Sequence, residues 1–289
     1  MSTTIADRLD RAIRRLPPLP DVASRLLAIV DEPEFSIEDI VHVVRNDPNL
    51  TARILKLCNS SLYSRTEEVE SVQEAVSYLG ARSLVQVVVS TCTRVCFDAL
   101  TSSTAADPAQ IRRHAFACAS AAERVAERVI GPSPGAAFTA GILHDLGKVA
   151  LLQAAGPAFS PAPPEPSESI LDHERRVFGT DHASVAERIA DRWPLPHELR
   201  RAITHHHDAE HIAVEPPMTA ALHVAEVLAD TVAASREQSP DVLARVEPNA
   251  LARLSLDVQD LEPLLQATRE AWSRADRMLA DDRVAAGAN

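Results

Sequence analysis

The segment GILHDLGKVALL, residues 141–152, sets His144 and Asp145 side by side in an otherwise apolar run. Burying an imidazole and a carboxylate together is costly unless each is hydrogen-bonded, ion-paired or bound to a cation. Two readings of the pair stay open on these residues alone: a metal site, or polar groups satisfied inside a helical bundle. On one helix, adjacent residues point about 100° apart, so the pair would meet a common centre from its flank, with further groups supplied by other segments.

Outward from this run the pattern is helical throughout. Aromatic residues make up only 3% of the 289 residues, and strand-like alternation is absent, which predicts an all-α helical bundle. On the amino-terminal side, ADRLDRAIRRL is amphipathic and is stopped by the proline elbow at residues 17–20. Val22, Leu26, Leu27, Ile29 and Val30 then mark a helix face that ends at Pro33. Ser36 and Asp47 are in capping position for the next two helices, Ser71 with Glu74 reads as a capping box, and Gly80 reads as a terminator.

The small, polar stretch TSSTAAD, residues 101–107, predicts a boundary between an N-terminal helical subdomain, 1–100, and a second helical subdomain, 108–289. In the second, GPSPGA leads into the segment carrying His144 and Asp145, and the proline-rich PAFSPAPPEPSES forms a loop. Leu261, Leu264, Leu265, Ala267 and Trp272 are expected to pack a closing helix, 259–280, against the bundle.

The formal charge of −12, without an extended Lys/Arg stripe, argues against phosphate-backbone binding, so nucleic acid is not an expected partner. Cys58, Cys92, Cys96 and Cys118 form no C-x-x-C pair, which fits reduced thiols in a cytoplasmic protein. Cys92 and Cys96, one helical turn apart, read as small apolar residues on a buried face rather than as a thiolate metal pair. The run VQVVVS is too short to span a bilayer, and no membrane partner is expected.

Five segments of the second half place polar residues in apolar surroundings: His114, then His144 with Asp145, then His182, then His205 to His207, then Glu226. A single helical histidine is more often a surface or core residue than a ligand, and His211 and His223 are read that way. The ordered set is more informative, because imidazoles and carboxylates converging from separate helices suit a hard-to-borderline divalent metal.

At these residues the chain resembles the HD superfamily of metal-dependent phosphohydrolases, and across nearly its whole length the HDOD subgroup. The wording and order of residues 16–63, LPPLPDVASRLLAIVDEPEFSIEDIVHVVRNDPNLTARILKLCNSSLY, and 69–90, VESVQEAVSYLGARSLVQVVVS, are similar to the HDOD amino-terminal half. FTAGILHDLGKVALL, VFGTDHASVAERIADRWPLPHELRRAITHHHD and TAALHVAEVLAD continue the likeness through its HD-like half.

The resemblance implies metal ligation by His114, His144, Asp145, His182 and His206, with His206 and His207 matching the family's His-His pair and His205 an extra. Glu226 stands where HD proteins usually carry Asp, one methylene shorter. Lys148 resembles a phosphate-facing lysine of active relatives, so that Asp145 and Lys148 would be the catalytic residues of an enzyme. The cofactor implied is one or two divalent ions, of Mn, Fe, Mg or Zn. Relatives that cleave cyclic dinucleotides carry an acidic residue and a DGxGYP-type loop after the His-His; this chain has HHDAEHIAVEPP, which argues against cyclic-di-GMP hydrolysis. The function implied is a bacterial signal-transduction regulator, non-enzymatic, acting on a signalling protein partner; the alternative is a phosphohydrolase acting on a nucleotide or phosphoester.

Overall fold

The structure, a computed structural model, describes residues 4–16, 36–59, 69–81, 83–91, 108–157, 168–193, 195–234 and 245–286, with residues 22, 23, 25, 26, 29 and 165. The proline elbow at 17–20, Cys92, Cys96, the boundary at 101–107 and most of the proline-rich loop lie outside them. All regular structure among the described residues is helical.

In the amino-terminal third, α1 (Ile5–Arg15), α2 (Ile37–Arg45), α3 (Pro48–Cys58) and α4 (Val72–Leu79) start where the sequence offers a cap. Thr4 with Asp7, and Ser36 with Asp39, form reciprocal capping boxes, each using the hydroxyl and the carboxylate to satisfy first-turn amides. The Asp47 carboxylate accepts the Leu50 amide, and Ser71 accepts that of Glu74, whose own carboxylate takes the Glu70 amide. Gly80 ends α4 at φ 81°, a backbone state that a side chain disfavours.

Helices α2, α3 and α4 pack on one another through Ile40, Val44, Ile54 and Val76, all buried. The Asn59 side chain fastens this group by bonding both backbone groups of Val69, at 2.7 and 3.0 Å. Helix α1 instead lies on α7 of the second part, with Leu9 and Ile13 buried and Asp10 paired to Arg188.

The second part comprises α5 (Pro108–Ala126), α6 (Pro134–Leu143), α7 (Leu146–Ala155), α8 (Ile170–Phe178), α9 (His182–Ala190), α10 (His197–His205), α11 (Ala209–Val214), α12 (Pro217–Ala234), α13 (Pro248–Leu254) and α14 (Val258–Ala286). Helix α5 is its axis, contacting α6, α12 and α14. Its buried face is built from Ala115, Ala117, Cys118, Ala119, Ala121, Ala122 and Val125, small side chains that let neighbouring backbones come close.

At two positions the approach is closer than any side chain permits. A Cβ on Gly141 would lie 2.4 Å from the Ala119 Cα, and a Cβ on Gly147 would lie 1.9 Å from the His182 carbonyl oxygen. The first glycine presses α6 onto α5, and the second presses α7 onto the start of α9. Leu261, Leu264, Leu265 and Trp272 of α14 are buried as expected, whereas Ala267 is only partly covered and Thr268 takes the buried position, its hydroxyl donating to the Leu264 carbonyl at 2.8 Å. No helix among the described residues is long and apolar enough to cross a membrane.

Candidate metal centre

His144 and Asp145 do not share a helix. Helix α6 stops at Leu143, His144 is its C-cap, and Asp145, at φ −94° and ψ 7°, precedes the first residue of α7. The break follows from the two close approaches: Gly141 is held against α5 and Gly147 against α9, so the chain turns between them. The turn aims both side chains inward.

The structure gathers His114, His144, Asp145, Lys148, His182, His206 and Glu226 into one cluster drawn from α5, the α6–α7 break, α7, α9, the end of α10 and α12. Around the Asp145 carboxylate lie His144 Nε2 at 3.5 Å, His114 Nε2 at 3.6 Å and His182 Nε2 at 3.9 Å. Around Glu226 lie His206 Nε2 at 3.4 Å and His207 Nε2 at 3.2 Å. His206 links the two groups, with its Nε2 3.5 Å from His182 Nε2.

Each inner imidazole is held by its other nitrogen. His144 Nδ1 lies 2.8 Å from the Gly141 carbonyl, and His206 Nδ1 lies 2.8 Å from the Ile203 carbonyl. A carbonyl only accepts, so both rings donate from Nδ1 and carry the lone pair on Nε2. Both bonds also close the last turn of a helix, α6 or α10, over a carbonyl that the helix leaves unpaired.

His182 Nδ1 faces the Glu174 carboxylate at 2.7 Å, and the same oxygen accepts the His182 amide at 2.7 Å. This bracing by carbonyls and a carboxylate is how proteins fix the tautomer and direction of ligating histidines. His182 Nε2 and His206 Nε2 therefore face each other with their opposite nitrogens already engaged.

The inner donors are enclosed: His144, His182 and His206 are 0% exposed, Glu226 4% and Asp145 5%. Burial alone would raise the Asp145 carboxyl, but His144, Lys148, His114 and His182 outweigh it and hold it well below the usual carboxylate range. Glu226 is held down likewise, with His207 and His206 overcoming burial. Burial pushes His144 down, and His206 further, with His207 adding to the effect, so both favour the neutral form. His207 moves the other way, because Glu226 outweighs its burial.

Lys148 sits on Asp145, its Nζ 2.9 Å from one oxygen and 3.1 Å from the other, and that pairing outweighs partial burial to raise the ammonium. It is a partly exposed counter-charge to Asp145 at the edge of the cluster.

The donor set fits a divalent cation. His144, Asp145, His206 and Glu226 each offer one donor atom, all within 4.8 Å of one another, and His182, His206 and His207 form a second such group sharing His206. The Nε2 atoms of His114 and His144 are buried without a hydrogen-bond partner, a cost that a bound cation would remove.

Sequence reasoning did not single out two supporting residues, Glu174 and Asp230. Glu174 is the buried residue of α8, and its signal is only a carboxylate on the inward face of an amphipathic helix. Asp230, one turn after Glu226, lies 3.8 Å from His114 Nδ1, and that i, i+4 spacing was readable. His223, read as a surface or core residue rather than a ligand, is a core one: it donates to the His206 carbonyl at 2.8 Å and accepts the Glu247 amide at 3.0 Å, and so braces the backbone of His206.

Fold and site together define an all-α, HD-like bundle with a buried histidine–carboxylate cluster. The chain belongs to the HDOD domain family, whose pattern it matches over residues 16–209. It is 26% identical over 231 residues to an uncharacterised protein of Treponema pallidum, a match that covers 74% of this chain and only 41% of that longer protein.

Among solved structures it is similar to an HDOD domain protein of unknown function from Geobacter sulfurreducens, at 26% identity and a TM-score of 0.68, covering 94% of this chain and 99% of that one. A protein of Shewanella amazonensis, provisionally described as a phosphohydrolase, shares the fold at 21% identity and a TM-score of 0.63, covering 93% of this chain and 98% of its own.

Proposed function

We propose that this chain is a regulatory HDOD module whose buried cluster holds one or two divalent ions as part of its folded state, and which acts on a signalling protein partner rather than on a small substrate. The observation that carries the reading is the facing pair of Nε2 atoms, His182 and His206, among the buried donors His144, Asp145 and Glu226. The His206 lone pair meets His182 Nε2 at this distance, and a cation or a shared proton between the two nitrogens satisfies both.

His114, His144, Asp145, His182, His206 and Glu226 would hold the ion, with Glu174 and the Gly141 and Ile203 carbonyls orienting the rings. A bound divalent ion supplies positive charge against the buried carboxylates and, in an enzyme, Lewis acidity. Enclosure of the donors favours the structural and regulatory use over turnover.

A second reading, phosphoester hydrolysis, draws on the open side of the cluster, where His114 is 16% exposed and Lys148 30%. Lys148 there would bind a phosphate oxygen while its neighbour Asp145 stays ionised. Metal analysis of protein purified without chelators, joined to a screen of nucleotides and phosphoesters with added Mn²⁺, separates the two. Bound metal with no turnover is the expected result. Metal-dependent turnover that falls in Lys148→Ala would replace the regulatory reading with the catalytic one, and intact cyclic-di-GMP is expected in either case.

A further inference from the structure

The turn that delivers His206 and His207 to the interior carries a second histidine group on its outer side. His205 ends α10, Asp208 caps α11, and His211 lies within α11. The short turn between the helices brings the His205 and His211 rings into a parallel stack, centroids 4.1 Å apart and planes within 6°.

Asp208 Oδ1 accepts the amides of Glu210 and His211, while its Oδ2 lies 2.8 Å from His211 Nδ1. His211 is thereby held as His182 is, by a carboxylate on one nitrogen. His205 Nε2 is buried and has no hydrogen-bond partner. The nearby Arg201 is engaged by Glu215, so it does not neutralise Asp208.

We propose that His205, Asp208 and His211 form an outer metal site, separate from the interior cluster and taking a borderline divalent cation such as Ni²⁺, Zn²⁺ or Cu²⁺. Each residue offers one donor atom, and the three lie within 4.8 Å of one another. Metal–nitrogen bonds of about 2.0–2.1 Å lie in the imidazole plane, so binding turns the half-exposed His211 ring out of its stack on His205 and frees its Nδ1 from Asp208. Two imidazoles and one carboxylate select against Mg²⁺, which prefers oxygen and retains its water. The site leaves positions open to solvent or to a donor from another molecule. Because it spans residues 205–211, an ion bound there stiffens the backbone that presents His206 and His207. The assignment stands whether or not the interior cluster binds metal.

Titration of the full chain with Ni²⁺, with competing Mg²⁺ in excess, tests it. Wild-type protein is expected to bind one more equivalent than His211→Gln, and Asp145→Asn is expected to keep that equivalent. Equal stoichiometry in wild type and His211→Gln overturns the site, as does loss of the same equivalent in Asp145→Asn. His211→Cys guards against a misfolded glutamine variant: loaded with Co²⁺, it is expected to show a thiolate-to-cobalt charge-transfer band, and a folded cysteine variant without that band also overturns the proposal.

Discussion

The two parts of the molecule bury their helices by different means. Around α2, α3 and α4 the contacts are made by branched aliphatic side chains, Ile40, Val44, Ile54 and Val76, which stand between the backbones. Around α5, and where α7 meets α9, the contacts are made by alanines and by Gly141 and Gly147, which let backbone touch backbone. A side-chain interface can absorb a small shift by changing rotamers. A backbone interface has nothing to adjust. The second arrangement occurs where several donors from separate helices must keep fixed separations.

The largest expected effect breaks that contrast at its strictest point. Gly147→Val places carbon where the His182 carbonyl oxygen already lies, so it should cost more than about 4 kcal/mol and leave little folded protein in a denaturant titration. A variant within a few tenths of wild-type stability would show that α7 and α9 do not touch.

Next, Ile54→Ala in the first part should cost about 3 kcal/mol through its cavity, yet leave metal content per folded molecule unchanged. Loss of metal in that variant would join the two parts into one unit. Asp145→Ala should remove the stabilisation that added Mn²⁺ gives, about 2.7 kcal/mol at a hundredfold excess over Kd. An unchanged thermal shift with Mn²⁺ would place the ion elsewhere.

Acidity sharpens the comparison further. Burial holds His144 and His206 below their ordinary values, so in metal-free protein their contribution is complete above about pH 6.5, the unfolded value, and is lost as pH falls below it. Asp145 and Glu226 are also depressed, so their contribution is lost below about pH 4. Thermal unfolding of chelator-treated protein should therefore weaken from about pH 7.5 to 5.5, and His206→Gln should reduce that slope. A slope that is the same in both proteins would remove His206 as its source. The smallest effect is Ser36→Ala, worth about 1 kcal/mol through the lost α2 cap, with no change in metal binding.

Much of this was legible because helix starts are written in short-range chemistry: Ser36, Asp47 and Ser71 announce their helices within three residues, and Thr4, Ser133 and Ser169, which the sequence reading passed over, cap theirs in the same way. The residues of the cluster were also legible as a set, since polar groups in apolar runs need a reason to be there.

The break between His144 and Asp145 was not legible. It is imposed by Ala119 and His182, which are distant in sequence, and the local pattern of GILHDLGK is equally consistent with one continuous helix. Glu174 escaped for the same reason, its role being defined by a partner eight residues away on the next helix. His205 and His211 stack only because of the turn geometry between α10 and α11, which spacing alone does not give.

The paired histidine caps have a consequence for how such a protein can change over generations. At His144 and at His206 one side chain both seals a helix end and offers an electron pair. Asparagine at either place can still donate to the carbonyl three residues back, so the helix would end where it does now while the donor disappears. The architecture and any ion that the cluster holds would thus be separable by one codon at each corner. A lineage that used such an ion could discard it without rebuilding the bundle, and its descendants would remain folded and free to take up other work.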